Sequence, residues 1–195
     1  MKKQHLGEII IKDKVITSMG ENQLAKFRQK YLGFVFQAYN LINSMNAIEN
    51  VEMPMIFKEI PKNIRTKRAK AMLEQVGLKE RMKHKPTQMS GGQQQRVGIA
   101  RAFVANPEVV FADEPTGNLD SKTSHEIMGI IKKMAQENNQ TIVMVTHDIN
   151  SARRGNRVIY IKDGEIAGEC NLGKYGKDDE KRHKVLSDFL VRMGW

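Results

Sequence analysis

Two adjacent carboxylates follow a short apolar run at residues 109–112 and are the most direct sign of chemistry in the chain. An apolar strand would deliver Asp113 and Glu114 to its carboxyl end, where one carboxylate can hold a magnesium ion and the next can orient or deprotonate a water molecule. The alternative is that the Asp-Glu-Pro sequence only starts a loop. Because carboxylates at a buried strand end are costly unless they bind something, the pattern favours a functional pair.

A serine and two glycines, Ser90, Gly91 and Gly92, form a second candidate because they precede a helical repeat. A helix start presents unpaired backbone N–H groups, and with a hydroxyl beside them it can hold an anion, above all phosphate. The apolar face of the repeat comprises Val97, Ala100 and Val104. An alternative of equal weight is a serine N-cap followed by glycines that permit the turn.

A histidine follows a second apolar run, at residues 141–145. His147 comes at the carboxyl end of that predicted strand, where it can donate a hydrogen bond to a phosphate oxygen that gains negative charge. The other histidines are interpreted as packing or surface residues: His5, His84, His125 and His183.

The hydrophobic pattern predicts the elements that position these residues. Both runs are apolar on both faces, which predicts buried parallel strands. Between them lies a helical repeat with Asp120 or Ser121 as its N-cap. The apolar positions of that repeat are Ile127, Ile130, Ile131 and Met134. A strand, a helix and a strand make a βαβ unit, in which ligands bind at the carboxyl ends of the strands.

The rest of the pattern extends this unit. Residues 32–36 predict another strand, and residues 47–89 predict an all-helical insert. One insert helix has Ala69, Met72, Leu73 and Val76 on one face and ends at Gly77. Asp163 and Gly164 are a hairpin signal, so we expect antiparallel strands to join the sheet there. Residues 179–193 have helical spacing.

Composition limits the function classes. The chain has 195 residues, a net charge of +10 and one cysteine, Cys170. One cysteine excludes a disulfide framework and a four-cysteine zinc site. No apolar run approaches the roughly 20 residues that span a bilayer, and we interpret the opening MKKQHLGEIII as neither a signal peptide nor an anchor.

Residues 58–85 carry ten basic and three acidic side chains, a net charge of +7. This segment is either a solvated face or a face attracted to an anionic membrane surface.

Together, these motifs resemble the ATP-binding subunit of an ABC transporter. Five segments appear in the order of that family: GFVFQ, which ends at Gln37, then MSGGQQQR, VVFADEP, GNLD and IVMVTHD. Three segments are similar in sequence to the branch of the family that serves lipoprotein release, macrolide export and antimicrobial-peptide export or resistance. They are FVFQAYNLI, ENVEMPMIF and ADEPTGNLDSKT. The resemblance extends from about residue 7 to residue 168.

The resemblance implies ATP and Mg²⁺ as ligands and assigns the residues around the reacting phosphate. Gln37 matches the Q-loop glutamine, which touches magnesium and the attacking water and senses the permease. Asp113 matches the Walker B aspartate, which with Gln37 would hold the metal. Glu114 matches the catalytic glutamate and His147 matches the switch histidine.

The resemblance also implies a nucleotide-binding signature, formed by Ser90, Gly91, Gly92 and Gln93. Methionine at Met89 stands where leucine is usual. Asp120 matches the D-loop aspartate of the family. Arg96 and Arg101 lie on the same helix, and for them we expect only surface or structural pairing.

The implied fold class is α/β, a P-loop NTPase-like ABC ATPase core with a mostly parallel sheet, some antiparallel strands and an inserted helical subdomain. We expect one ABC ATPase domain over residues 1–195 that lacks the N-terminal strands and P-loop. Its helical subdomain would cover about 40–100, its RecA-like core about 1–39 and 101–170, and a C-terminal helical tail about 178–195.

The phosphate-binding loop of the family, G-x-x-x-x-G-K-[ST], does not occur in these 195 residues. Its nearest match runs from Gly168 to Tyr175, which has tyrosine where the magnesium-binding hydroxyl belongs. We therefore expect this chain alone to be deficient in ATP binding. The alternative is a truncated, non-catalytic remnant or a degenerate half that offers only its signature to a partner.

The resemblance implies two protein partners, a transmembrane permease subunit and a second ABC ATPase subunit in a homo- or heterodimer. It places the chain in the cytoplasm, peripheral on the inner face of the cell membrane, with the basic residues 58–85 near the inner leaflet. The alternative hypothesis is a soluble, nucleic-acid-linked ABC protein. It is less favoured because the zinc cysteines, long coiled coils or paired domains of such proteins are not visible in this sequence. No nucleic acid is expected as a partner.

Overall fold

The computed structural model describes residues 7–176 and 179–195, which divide into two units. One unit runs to Val143 and the other begins at Met144. The predictions for residues 1–6, which include His5 and most of the opening segment, and for residue 178 lie outside the described residues.

The first unit contains a sheet that brings two of the predicted strands side by side. Its elements in chain order are β1 (Ile10–Ile11), β2 (Lys14–Val15), α1 (Glu21–Tyr31), β3 (Leu32–Val35), α2 (Ala47–Ile56), α3 (Lys62–Gln75), α4 (Gly91–Phe103), β4 (Val109–Asp113), α5 (Ser121–Glu137) and β5 (Thr141–Val145), whose last two residues lie past the boundary at Val143. Strands β1 and β2 form a small antiparallel pair. Strand β3 pairs in parallel with β4, and β5 follows β4 in the strand order of the same sheet.

The sheet is buried on the face that meets helix α4. Val35, Val110 and Ala112 are at most 2% exposed. Gly33 lies so close to α4 that a Cβ atom there would be 2.4 Å from the carbonyl oxygen of Ala102. The register pairs Val35 with Ala112, so both strands end at the same edge of the sheet. The residues that follow β3 and β4 are therefore neighbours.

The prediction that the residue 141–145 run is buried on both faces is wrong. Val143 is 44% exposed and Val145 is 62% exposed, and Ile142 and Met144 on the other side of the strand are only half-buried. The reason is that the described residues leave the Val143 side of β5 uncovered. The apolar pattern of this run shows that its side chains are hydrophobic, but it does not show whether other elements pack over them.

Three helices, α2, α3 and α4, pack together in the first unit. Ala69, Leu73 and Val76 are buried as predicted, and Gly77 follows the end of α3 with φ +76°. Helix α2 begins with a capping box in which Asn46 accepts a hydrogen bond from the Glu49 N–H. These local signals confirm the prediction of an all-helical insert between β3 and β4.

The second unit is a hairpin with a helix packed on it. It contains α6 (Ile149–Ala152), β6 (Arg157–Lys162), β7 (Glu165–Asn171) and α7 (Asp179–Arg192). Asp163 and Gly164 form the turn with φ of +52° and +85°, as predicted. The expectation that these strands join the first sheet is wrong, because β6 and β7 form a separate two-stranded sheet. Its core consists of Cys170, Leu186, Phe189 and Leu190.

Among the described helices, none is both long enough and apolar enough to cross a membrane.

Candidate functional site

The loop after β4 holds the predicted carboxylates in a constrained conformation. Asp113, the last residue of β4, is exposed, and Glu114 is half-buried. Glu114 has φ +42°, a left-handed conformation that costs a non-glycine residue about 1–3 kcal/mol. The Gly117 N–H donates to the Glu114 carbonyl at 3.0 Å and closes the turn. Such strain, held at a predicted catalytic residue, is typical of functional sites.

Gln37 lies against the same loop. Two residues beyond β3, it donates from Nε2 to Asn118 Oδ1 at 3.4 Å, and Asn118 Nδ2 donates to the Gln37 carbonyl at 3.1 Å. A Cβ atom at Gly117 would lie 2.6 Å from Gln37 Nε2, so any side chain there would displace the Gln37 amide from its present position. The structure thus brings Gln37 together with the segment that carries Asp113 and Glu114.

Helix α4 begins with Ser90 and Gln93 bound to each other. The Gln93 N–H donates to Ser90 Oγ at 3.3 Å, and the Ser90 N–H donates to Gln93 Oε1 at 3.1 Å, which is a capping box. The interpretation of Ser90 as an N-cap is therefore confirmed. The positive end of the helix dipole remains at this end of α4, so anion binding by Ser90 to Gln93 stays a prediction.

The two glycines of this helix start permit close packing inside the chain. A Cβ atom at Gly91 would lie 2.7 Å from the Tyr39 hydroxyl, and one at Gly92 would lie 2.6 Å from Thr123 Cγ2. Gly91 thus faces the loop that follows Gln37, and Gly92 faces the first turn of α5. The glycine pair serves packing whether or not it also binds phosphate.

Helix α4 also holds both loops of the site, through the side chains of Gln95 and Arg101. Gln95 Nε2 donates to the Pro115 carbonyl at 2.6 Å. Arg101 donates to the carbonyls of Tyr39 and Asn40 at 2.9 and 2.5 Å, and both of these residues have positive φ. Burial lowers the pKa of the Arg101 guanidinium, which the carbonyl contacts help to solvate.

Arg96 has the structural pairing that we expected of it. Its guanidinium donates to the Val76 carbonyl at 3.0 Å and to Glu126 Oε2 at 2.6 Å. Arg101 also has the structural pairing that we expected, and its partners are backbone carbonyls of the loop that follows Gln37.

Asp120 caps helix α5, one of the two N-caps predicted there. Its carboxylate accepts from the Thr123 N–H at 2.9 Å and from the Thr123 hydroxyl at 2.6 Å. These donors hold the pKa of Asp120 below its ordinary value near 3.8, the hydroxyl having the larger effect. The structure gives this exposed aspartate a capping role, and its D-loop role stays a prediction.

His147 belongs to the second unit, two residues past the end of β5, and its side chain is exposed. The next residue, Asp148, caps α6 by accepting from the N–H groups of Asn150 and Ser151, both at 3.0 Å. Glu114 and His147 therefore lie in different units, and their joint action is an expectation from the family resemblance.

The donor atoms at the sheet edge fit magnesium. Within residues 7–176 and 179–195, no cluster of three or more His, Cys, Asp or Glu side chains can hold a metal ion. Asp113 and Gln37 offer two oxygen ligands at one edge. Magnesium suits such a sparse site because it keeps several waters and takes phosphate oxygens as further ligands.

A glutamine follows one strand of this parallel sheet, and a carboxylate pair lies at the end of the neighbouring strand. The start of a helix lies beside them. This arrangement is typical of α/β proteins that hydrolyse nucleotides. The family model described as "ABC transporter" matches residues 1–117. The chain belongs to the ABC transporter family as an ATP-binding subunit, and ATP hydrolysis is the activity of that family.

Relatives share both sequence and fold with the chain. It is 51% identical over 165 residues to the uncharacterized ABC transporter ATP-binding protein MJ1508 of Methanocaldococcus jannaschii, covering 85% of this chain and 73% of that protein. It is 44% identical to the macrolide export ATP-binding/permease protein MacB of Vibrio parahaemolyticus, covering 87% of this chain but 26% of MacB. A dimeric, post-hydrolysis structure of the cassette MJ0796 bound to ADP and Pi matches with a TM-score of 0.78 and 46% identity, covering 88% of this chain and 75% of that one. The α/β ABC ATPase fold predicted from the sequence is confirmed.

Proposed function

We propose that this chain couples ATP hydrolysis to export or extraction of a substrate through a membrane permease. The observation that supports it is the contact of Gln37 with the loop of Asp113 and Glu114, at the edge of the parallel sheet. The similarity to MacB, whose name joins macrolide export to a permease, supports an export role. Which substrate is exported does not follow from these residues.

The site residues divide the chemistry between them. Asp113 and Gln37 would hold a magnesium ion, which neutralises charge on the phosphates when it is bound. Glu114 accepts a proton from, or orients, the attacking water. His147 donates a hydrogen bond to the phosphate oxygen that gains charge. Ser90, Gly91, Gly92 and Gln93 bind phosphate at the start of α4, and Asp120 takes part where two subunits meet.

The assembly that we propose is a dimer with a second ABC ATPase subunit, bound to a transmembrane permease at the cytoplasmic face of the membrane. The dimeric state of MJ0796 supports the first partner. The helical subdomain, about residues 40–100, would contact the permease, while residues 1–39 and 101–170 form the core and residues 178–195 the tail. The basic residues 58–85 would lie near anionic lipid.

The 195 residues alone would bind ATP poorly. A P-loop supplies most of the N–H groups and the lysine that grip the β- and γ-phosphates, and the printed sequence has no such loop. The signature at Ser90 can still serve a site whose P-loop comes from another subunit. The alternative is a truncated, non-catalytic remnant or a degenerate half that offers only its signature to a partner.

A nucleotide titration tests these proposals. A fluorescent ATP analogue is titrated into the 195-residue chain with and without Mg²⁺, and we expect no magnesium-dependent binding in the micromolar range. A second version carries a family P-loop segment joined ahead of residue 1, and we expect it to bind and hydrolyse ATP. Its matched control replaces the added P-loop lysine by methionine.

Each outcome decides a separate point. Micromolar, magnesium-dependent binding by the chain alone would refute its deficiency. A P-loop-joined version that binds ATP without hydrolysis would refute the catalytic assignment. A last experiment mixes the chain with a partner that has a P-loop but a substituted signature serine. If the chain restores ATP turnover in this mixture and in no other form, the signature-only function replaces the proposed one.

A further inference from the structure

The buried side chain of Gln95 contacts the loop that carries Glu114. Gln95 is 0% exposed, and its Nε2 donates to the carbonyl of Pro115 at 2.6 Å. Pro115 directly follows Glu114 in the chain. Because a carbonyl oxygen can only accept, the nitrogen of the Gln95 amide must face it. The bond therefore joins helix α4 to the carbonyl next to the predicted catalytic residue.

Filling the core does not explain why this residue is a glutamine. Its other amide atom, Oε1, is buried without a hydrogen-bond partner in the part of the chain that the structure describes. A buried acceptor in that state is destabilising, and an apolar side chain of similar volume would avoid the loss. What glutamine adds at this position is the bond to Pro115.

That bond acts on a residue in an unfavourable conformation. Glu114 has φ +42°, which a non-glycine residue keeps only where its surroundings impose it. The Gly117 N–H closes the turn on the exposed side, at 3.0 Å from the Glu114 carbonyl. Pro115 and Thr116 are buried, so the bond from Gln95 holds the loop from the interior. Two hydrogen bonds thus fix the loop at the carbonyl of the strained residue and at the carbonyl that follows it.

We propose that Gln95 is a positioning residue for Glu114: its amide holds the Pro115 carbonyl and so keeps the Glu114 carboxylate aimed at the attacking water. The catalytic part of this inference rests on the proposed function of Glu114. The positioning itself does not, because it is a property of the folded chain and can be measured without nucleotide.

Hydrogen exchange measures the positioning in the 195-residue chain. Gln95→Met keeps the volume and removes the donor. We expect the Gly117 amide to exchange at least about five-fold faster relative to the Val104 amide at the end of α4, the factor that one net hydrogen bond supplies. The control Ile99→Val trims a fully buried side chain of the same helix and should leave that ratio unchanged. An unchanged ratio in Gln95→Met would overturn the proposal.

Kinetics measure the catalytic consequence in the P-loop-joined version. We expect Gln95→Met to lower kcat about ten-fold while KM for ATP stays within about two-fold, because a misaimed carboxylate affects the chemical step and not nucleotide binding. Ile99→Val should keep the parent kcat. Faster exchange with an unchanged kcat would overturn the catalytic part. If the parent itself does not hydrolyse ATP, the proposed function fails, and the exchange ratio still decides the positioning.

Discussion

Gln37 and Asn118 bind each other across the ends of two parallel strands. Asn118 Nδ2 donates to the Gln37 carbonyl at 3.1 Å, and Gln37 Nε2 donates to Asn118 Oδ1 at 3.4 Å. Asn118 lies four residues after Glu114 in the same loop. The backbone and side chain of Gln37 are thus both tied to the segment that carries the predicted catalytic carboxylate.

Replacing Asn118 should release Gln37 without disturbing the fold. In the P-loop-joined version, we expect Asn118→Ala to lower ATP turnover about five- to ten-fold, the factor of one or two net hydrogen bonds at an exposed site. Steady-state kinetics provide the measurement, and KM for ATP should change little. Asn63→Ala, at an exposed asparagine of α3, is the control. Equal turnover in the two variants would show that the contact does not serve catalysis.

The carboxylate of Glu114 should be needed for turnover and not for nucleotide binding. In the same version, we expect Glu114→Gln to reduce turnover at least about a hundred-fold, because an amide cannot accept the proton of the attacking water. ATP should then hold two subunits together, which size-exclusion chromatography detects as a dimer. Glu74→Gln, at an exposed glutamate of α3, should behave like the parent. Parent-like hydrolysis by Glu114→Gln would remove Glu114 from the catalytic role.

Local patterns in the sequence predicted much of the fold. The insert helices, helix α5 with its Asp120 cap and the turn at Asp163 and Gly164 were all predicted because each depends on signals within a few residues. Helix α1 was not predicted. It buries only Phe27, so it lacks the apolar face that marks a helix.

Long-range contacts of the site had no such signal. Arg101 binds the Asn40 carbonyl 61 residues away, and Gln95 binds the Pro115 carbonyl 20 residues away. Backbone carbonyls are the acceptors in both bonds, so no residue type near either side chain marks the partner. The resemblance selected Gln37 and Glu114, but the residues that hold their loops became visible only in the packed structure.

The cap of α5 should give the chain an acid-sensitive part of its stability. The Thr123 donors lower the pKa of Asp120 in the folded state, so its charged form favours folding above the ordinary pKa near 3.8. This contribution is lost as the pH falls through the lower, native pKa. We therefore expect Asp120→Asn to reduce the free energy of unfolding at pH 7 and to approach the parent below pH 3.8.

Urea unfolding between pH 7 and pH 3 checks this expectation. Thr123→Ala removes the hydroxyl donor and leaves the backbone N–H, so the pH dependence attributable to Asp120 should be smaller in that background. A difference between Asp120→Asn and the parent that is the same at every pH would contradict the electrostatic origin of the cap's contribution.

We expect glycine to be required at residue 92 because an added side chain would collide with the methyl group of Thr123. A Cβ atom there would lie 2.6 Å from Thr123 Cγ2, so we expect Gly92→Ala to lower the free energy of unfolding by about 1–3 kcal/mol through overpacking. Thr123→Ser removes the methyl and keeps the hydroxyl that Asp120 binds. In that background, Gly92→Ala should no longer destabilise the chain, since the methyl contact is gone and alanine is the better helix former by roughly 1 kcal/mol.

A double-mutant cycle in urea isolates that single contact. The control is Gly129→Ala in α5, where nothing lies within 4 Å of the added Cβ atom, so alanine should stabilise the chain there. If Gly92→Ala destabilises equally with threonine and with serine at residue 123, the methyl contact is not the cause. If the loss of unfolding free energy disappears with serine at residue 123, the contact between α4 and α5 explains the need for glycine at residue 92. Phosphate binding is then not needed to explain this glycine.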